Sequence, residues 1–204
     1  MTPPSYSDRI DHAFAYLVKH YGAGSPRFAS PAPHARAMNV AVTLARFGCD
    51  EETIVAGILR YVFEEAAPRV RPALEGKVEQ KFGSPPFLAA RDATFPKYDA
   101  TGRERSWMDY RHEYLDRLHG TAPRTLDVVA AHEIHWCGSA LSTIERLGDE
   151  YLHGLTRATH AELLWWYRSL GEVLDERADW VHHSVLGELR RLSARLIRSS
   201  PNPR

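Results

Sequence analysis

Apolar residues recur at helical spacing along almost the whole chain. The clearest case follows Gly48, where the spacing predicts a helix with one broad buried face formed by Ile54, Val55, Ile58, Leu59, Val62 and Phe63. Further helices are predicted from Ser7, in the segment before Gly48, and over residues 70–82, 105–118, 124–147, 157–175 and 178–198. We find no repeat and no alternating pattern that predicts a sheet. The pattern therefore predicts an all-α protein of about eight helices.

Turn-forming residues separate these segments. Glycines and prolines mark residues 21–35 and 94–103 as loops. Ser7 and Asp50 stand where they can cap the first and third helices. No shift in composition indicates an internal boundary, so we expect a single domain over residues 1–204 with a disordered tail at 199–204.

The composition excludes several broad classes of function. The 26 lysine and arginine residues balance 26 aspartate and glutamate residues, which argues against nucleic-acid binding and against anionic membranes as partners. The two cysteines, Cys49 and Cys137, favour a reducing compartment over a disulfide framework. No secretory signal is visible at the N-terminus, and no apolar stretch is long enough to span a membrane. We expect a soluble, cytoplasmic protein.

Four segments, taken in order, resemble the HD-domain phosphohydrolases of the RelA/SpoT type, which hydrolyse ppGpp. GCDEETIVAGILRYVFEEA, residues 48–66, is similar to that family's Gly-x-Asp-x-x-Thr-x-x-Ala-x-Leu-Leu-His-Asp-x-x-Glu-Asp segment. KFG at 81–83 resembles the family's Phe-Gly. AAHEIHWCGSAL at 130–141 resembles its Leu-Ala-Asp-Lys-Leu-x-Asn segment, and ELLWWYRSLGEVL at 162–174 resembles its Gln-Leu-Trp-Tyr-Tyr-Arg stretch. The resemblance implies an HD-type helical domain.

The resemblance also implies that a metal centre has been lost. In the family, a His-Asp pair, an earlier histidine and a later aspartate bind a divalent metal, usually manganese. Here Arg60 and Tyr61 occupy the positions of the His-Asp pair. A gap-free count back from Gly48 places Arg36 at the position of the earlier histidine, and His132 stands at the position of the later aspartate. A hard cation needs carboxylates and imidazoles, whereas arginine has no lone pair to donate and a phenol stays protonated. We therefore expect no cofactor and no stoichiometric manganese, iron or zinc.

The replacements suggest that the site now holds fixed positive charge. Arg36, Arg60 and His132 would converge where the cation lay, and guanidinium groups bind phosphate or carboxylate well. The expected partner is thus an anionic or nucleotide small molecule. Glu64 and Glu65 take the places of the family's acidic pair. In the alternative interpretation, Arg60 and Glu64 form an ion pair one helical turn apart that needs no ligand.

Two further residues could contribute to ligand binding. Arg27 falls near the family's substrate-binding arginine after the first helix. Trp136 replaces an asparagine that helps to hold the nucleotide, and its indole could stack on a base or simply fill the vacated space.

The spacing of the histidines does not predict a zinc site. His132 and His135 are three residues apart, whereas the zincin signature needs a spacing of four, so both are interpreted as ordinary helix histidines. His182 and His183 have no partnering Cys or Asp pattern and are expected on the surface.

Three functions stay open. The first is a pseudoenzyme that binds a phosphorylated molecule without hydrolysing it. The second is a metal-independent enzyme with Glu64, Glu65, Tyr61 or His132 as acid or base. The third is a helical interaction module, with a homodimer as one form.

Overall fold

The computed structural model describes residues 6–21, 33–64, 66–148, 156 and 158–199, and within them only helices form, apart from one isolated bridge between Tyr98 and Glu104. This part of the chain contains nine helices: α1 Asp8–Tyr21, α2 Pro33–Arg46, α3 Glu51–Glu64, α4 Arg71–Phe82, α5 Ser84–Asp92, α6 Trp107–Leu118, α7 Pro123–Leu147, α8 His160–Glu176 and α9 Ser184–Ser199. The all-α prediction is confirmed. The helices form a single domain whose buried side chains make one continuous core.

The two predicted N-caps are present. The hydroxyl oxygen of Ser7 accepts a hydrogen bond from the Ile10 amide at 3.2 Å, and Asp50 Oδ1 accepts one from the Thr53 amide at 2.8 Å. Each side chain satisfies a backbone donor that the first helical turn leaves without a partner. These caps fix the starts of α1 and α3.

Helix α5 was missed by the sequence analysis and raises the count from eight to nine in the described residues. It is a nine-residue helix that opens with Ser84-Pro85-Pro86 directly after Gly83, whose φ of 88° turns the chain out of α4. Two adjacent prolines are typical of a loop. The first turn of a helix nevertheless tolerates proline, because the amides there have no intrahelical partner. Burial of Phe87, together with Ala89 and Ala90, holds this short helix in place.

Helix α3 lies at the centre of the fold. It packs against α1, α2, α5 and α7, and every residue from Val55 to Phe63 is buried. Gly57 allows the close approach of α2, since a Cβ built there would lie 2.6 Å from Leu44 Cδ1 and 3.3 Å from Val40 Cγ1. This approach places the start of α2 beside the end of α3.

The C-terminal region differs from the prediction at both of its ends. Helix α9 begins at Ser184 instead of residue 178, and it includes Ser199 at its end. Residues 177–183 form an irregular connection because Trp180 is buried there and Arg177 donates to the carbonyls of Leu118 and Thr121 at 2.6 and 2.7 Å. The rest of the predicted tail, residues 200–204, lies outside the described residues.

None of the helices in the described ranges combines the length and the apolar character that crossing a membrane requires.

Candidate functional site: a buried cluster of arginine, tyrosine and histidine

The last turn of α3 carries the centre of the site. Arg60 is 0% exposed, and its Nε donates to the Ala93 carbonyl at 2.8 Å while Nη1 donates to Glu64 Oε2 at 2.6 Å. Its guanidinium carbon lies 5.3 Å from the ring centre of Tyr61 and 5.4 Å from that of Phe95. A buried guanidinium is stable only when its charge and its donors are compensated, and these contacts provide most of that compensation. Arg60 therefore points inward, as the resemblance implied.

Glu64 joins this arginine to a second cation. Its side chain is 8% exposed and also accepts a hydrogen bond from Lys97 Nζ at 3.1 Å. Burial acts to raise the pKa of Glu64, but the charges of Arg60 and Lys97 outweigh it and hold the pKa well below its usual range. The carboxylate is thus ionised and engaged on both oxygens, which leaves it poorly placed to act as a free base.

Tyr61 and His132 contact each other directly. The Tyr61 hydroxyl lies 3.0 Å from His132 Nδ1, and both side chains are buried. Burial, reinforced by the charge of Arg60, lowers the pKa of His132 well below its usual value, while burial raises that of Tyr61. Both groups are therefore neutral at pH 7, and the tautomer of the imidazole decides which of the two donates the hydrogen bond.

Arg36 lies over the same tyrosine from α2. Its guanidinium carbon is 5.5 Å from the Tyr61 ring centre, and the residue is only half-buried. His135, half-buried on α7, has its pKa lowered first by burial and then by the charge of Arg36. We call these two half-buried residues, Arg36 and His135, the Arg36 rim.

The four positions that the resemblance assigns to metal ligands thus lie together, but their donor set does not suit a metal. Arg36 and Arg60 contribute two permanent cations, and the Tyr61 phenol stays protonated. The one imidazole, that of His132, is already engaged by the Tyr61 hydroxyl at Nδ1. A divalent cation at this position would meet repulsion from both guanidinium groups and would find one usable ligand.

A second buried network lies beside the first and was not predicted. Glu133 accepts hydrogen bonds from Tyr167 at 3.0 Å and from Trp166 Nε1 at 3.4 Å, and Arg111 Nη1 lies 3.4 Å from its other oxygen. The Arg111 guanidinium carbon is 3.9 Å from the ring centres of both Phe95 and Trp166. Phe95 also contacts Arg60, so it connects the two networks.

Of the other predicted site residues, only Trp136 lies in the described part of the chain. Trp136 is half-buried and stacks on Tyr167, with ring centres 6.4 Å apart and planes at 30°. Its described ring contact is with α8, and the centre is filled by Arg60 and Tyr61. Arg27 and Glu65 lie outside the described residues.

No family model matches the chain, and no curated protein matches it in sequence. Solved structures do match. The crystal structure of lmo0812 from Listeria monocytogenes EGD-e is similar with a TM-score of 0.62 at 16% identity, over 80% of this chain and 99% of that one. At this identity the likeness shows the fold alone.

Proposed function

We propose that the protein is a degenerate HD-type domain of the RelA/SpoT kind that binds a nucleotide or another phosphorylated anion without metal-dependent hydrolysis. One observation carries the proposal. Two guanidinium groups, those of Arg36 and Arg60, lie 5.5 and 5.3 Å from the ring centre of Tyr61, at the position that the resemblance gives to a metal and its ligands. Fixed cations in a partly dry environment favour an anion and oppose a divalent cation.

The two arginines have different roles in this proposal. Arg60 is fully buried and bonded to Glu64, so it contributes a fixed charge behind the site. Arg36 is half-buried and belongs to the Arg36 rim, where a phosphate oxygen can approach from solvent. A bound anion would offset the effect of Arg36 on His135 and raise the pKa of that imidazole.

The test measures thermal stability and heats of binding with inorganic phosphate, pyrophosphate and guanosine nucleotides. We expect a concentration-dependent rise in Tm for the unmodified chain, because a ligand that binds only the folded state stabilises it by mass action. Arg36→Gln should abolish the rise. Arg46→Gln, at the exposed end of the same helix, is the matched control and should preserve it. A Tm that does not respond to any of these anions would contradict the proposal.

A helical interaction module is the second candidate. Met38 and Val42 lie one turn apart on α2 and are 52% and 57% exposed, which places two apolar side chains on one outer face. If this face mediates self-association, light scattering should give a mass above 23.1 kDa that returns to the monomer value in Val42→Lys.

Metal-independent catalysis is supported least. Tyr61 and His132 are buried and bonded to each other, and Glu64 is engaged by two cations. A general acid or base must reach the proton that it transfers.

A further inference from the structure

Three metal-ligating side chains meet on the side of the molecule where α3 and α7 begin. Cys49 precedes α3, Asp127 lies in the first turns of α7, and His182 belongs to the connection between α8 and α9. Their ligand atoms all lie within 4.8 Å of one another. His182 was expected on the surface without a Cys or Asp partner. His182 is partly exposed, but the expected lack of partners is wrong, because the fold brings both partner types to it from distant parts of the chain.

We propose that Cys49, Asp127 and His182 form a binding site for a divalent metal ion of the zinc type. His182 Nδ1 lies 2.7 Å from Asp127 Oδ1 and 3.9 Å from Cys49 Sγ. In a tetrahedral zinc site, bond lengths of about 2.0–2.3 Å place neighbouring ligand atoms roughly 3.3–3.7 Å apart. Binding therefore requires the Asp127 and His182 atoms to separate by about 0.6 Å and Cys49 to move slightly closer to His182.

The geometry distinguishes this site from a nucleophilic triad. A Cys-His-Asp triad uses the two ring nitrogens of histidine separately, one for the thiol and the other for the carboxylate. Here the thiol and the carboxylate both face Nδ1 of His182. A shared nitrogen cannot pass a proton between them, but three donors that converge on one point can hold a cation.

A supporting hydrogen bond orients the carboxylate. Trp180 Nε1, on a side chain that is buried, donates to Asp127 Oδ1 at 2.7 Å. Metal-binding carboxylates and imidazoles in proteins are commonly held by such outer hydrogen bonds. Cys49 and His182 are both partly exposed, so an ion can reach the site from solvent.

The donor set defines the class of metal. A thiolate with an imidazole and one carboxylate suits zinc or cobalt, and it suits magnesium or manganese poorly. Three protein ligands leave a fourth position for water or for a group of a bound molecule. The site is separate from the Arg60 cluster and does not rest on the function proposed there. It also differs from the sequence-based expectation of a chain without metal, which found no partner for His182 because Cys49 and Asp127 are distant in sequence.

The test is titration of the full, chelator-treated protein with Zn²⁺ and with Co²⁺. We expect one ion per chain, and we expect Co²⁺ to give a thiolate charge-transfer absorption. Cys49→Ser should abolish that absorption, and His182→Gln should weaken Zn²⁺ binding at least tenfold. The matched control is His183→Gln, next in sequence, which should bind Zn²⁺ as the unmodified chain does. Circular dichroism checks that each variant is folded. The absence of stoichiometric binding, or binding and absorption that persist unchanged in Cys49→Ser, would overturn the proposal.

Discussion

The hydroxyl of Tyr61 lies 3.0 Å from Nδ1 of His132, 71 residues further along the chain. This hydrogen bond connects α3 to α7 between two side chains that are nearly inaccessible to water. Protonation of His132 would leave Nδ1 able to donate only and would place a positive charge inside the protein. The nearby charge of Arg60 adds to the effect of burial in keeping the proton away.

The first prediction concerns stability below pH 6.5. The pKa of folded His132 is well below 6.5, so an unfolded chain takes up a proton in this range and the folded chain does not. The free energy of unfolding should therefore fall as the pH falls, with a slope that approaches about 1.4 kcal/mol per pH unit for this residue well below pH 6.5. His135 and His20 act in the same direction, since burial lowers the pKa of each.

The contribution of His132 is isolated by comparison with His132→Gln, whose amide can accept the bond from Tyr61 but does not titrate. Urea unfolding of both proteins between pH 5 and pH 7 provides the measurement. We expect the stability difference between them to change with pH in the stated direction. Parallel pH profiles would show that the pKa of His132 is the same in the folded and unfolded chains, which would contradict the prediction.

The second prediction concerns the buried pair of Arg60 and Glu64. Removing one member leaves the other charge inside the protein, which typically costs about 3–5 kcal/mol. Arg60→Leu should show such a loss, and Arg60→Leu combined with Glu64→Gln should recover part of it. Because the pKa of folded Glu64 is lowered, the pair's contribution should be complete above about pH 4.5 and should disappear as the pH falls through the folded pKa.

The matched control is Arg168 and Glu172, which have the same spacing on α8 but are exposed. Exposed pairs contribute at most about 1 kcal/mol, so Arg168→Leu should change the stability little. Urea unfolding of the single and double variants forms the cycle. If Arg60→Leu were as mild as Arg168→Leu, the compensation inferred at Arg60 would be incorrect.

Some contacts could be predicted from the sequence because they lie within one helix or one turn. The spacing of Arg60 and Glu64 follows directly from helical geometry, and the caps at Ser7 and Asp50 follow from local backbone chemistry. The convergence of Arg36, Tyr61 and His132 has a different origin. It involves separate helices, and only the resemblance to a family of known fold indicated it.

The contacts missed from the sequence are tertiary. Glu133 has partners 22, 33 and 34 residues away, and His182 reaches Asp127 and Cys49 across 55 and 133 residues. No periodicity along the chain encodes such pairings. A buried glutamate beside an arginine between aromatic rings is a signal only once the packing of α6, α7 and α8 is known.

The third prediction concerns Arg111, which lies between Phe95 and Trp166. Arg111→Lys keeps the positive charge near Glu133 but loses the flat guanidinium that stacks on both rings. We expect a loss of about 1–2 kcal/mol in the free energy of unfolding, the scale of partly desolvated cation–π contacts. Arg103→Lys, at a strongly exposed position, is the control and should be neutral. Equal stabilities of the two variants would mean that the stacking adds nothing.

The last prediction is that the unmodified chain does not hydrolyse ppGpp, with or without Mn²⁺. Restoring the family pattern requires Arg36→His, Arg60→His, Tyr61→Asp and His132→Asp together, and single changes should have no effect. The structure gives the reason. Tyr61→Asp alone would place a carboxylate beside Arg60 and form an ion pair, whereas Arg60→His alone would leave the Arg36 cation in place.

The assay follows product release by each variant across a range of Mn²⁺ concentrations. Robust hydrolysis by the unmodified chain, abolished by a chelator and insensitive to Cys49→Ser, would show that the Arg60 cluster holds a working metal after all. Loss of such activity in Cys49→Ser would assign it instead to the site at Cys49, Asp127 and His182.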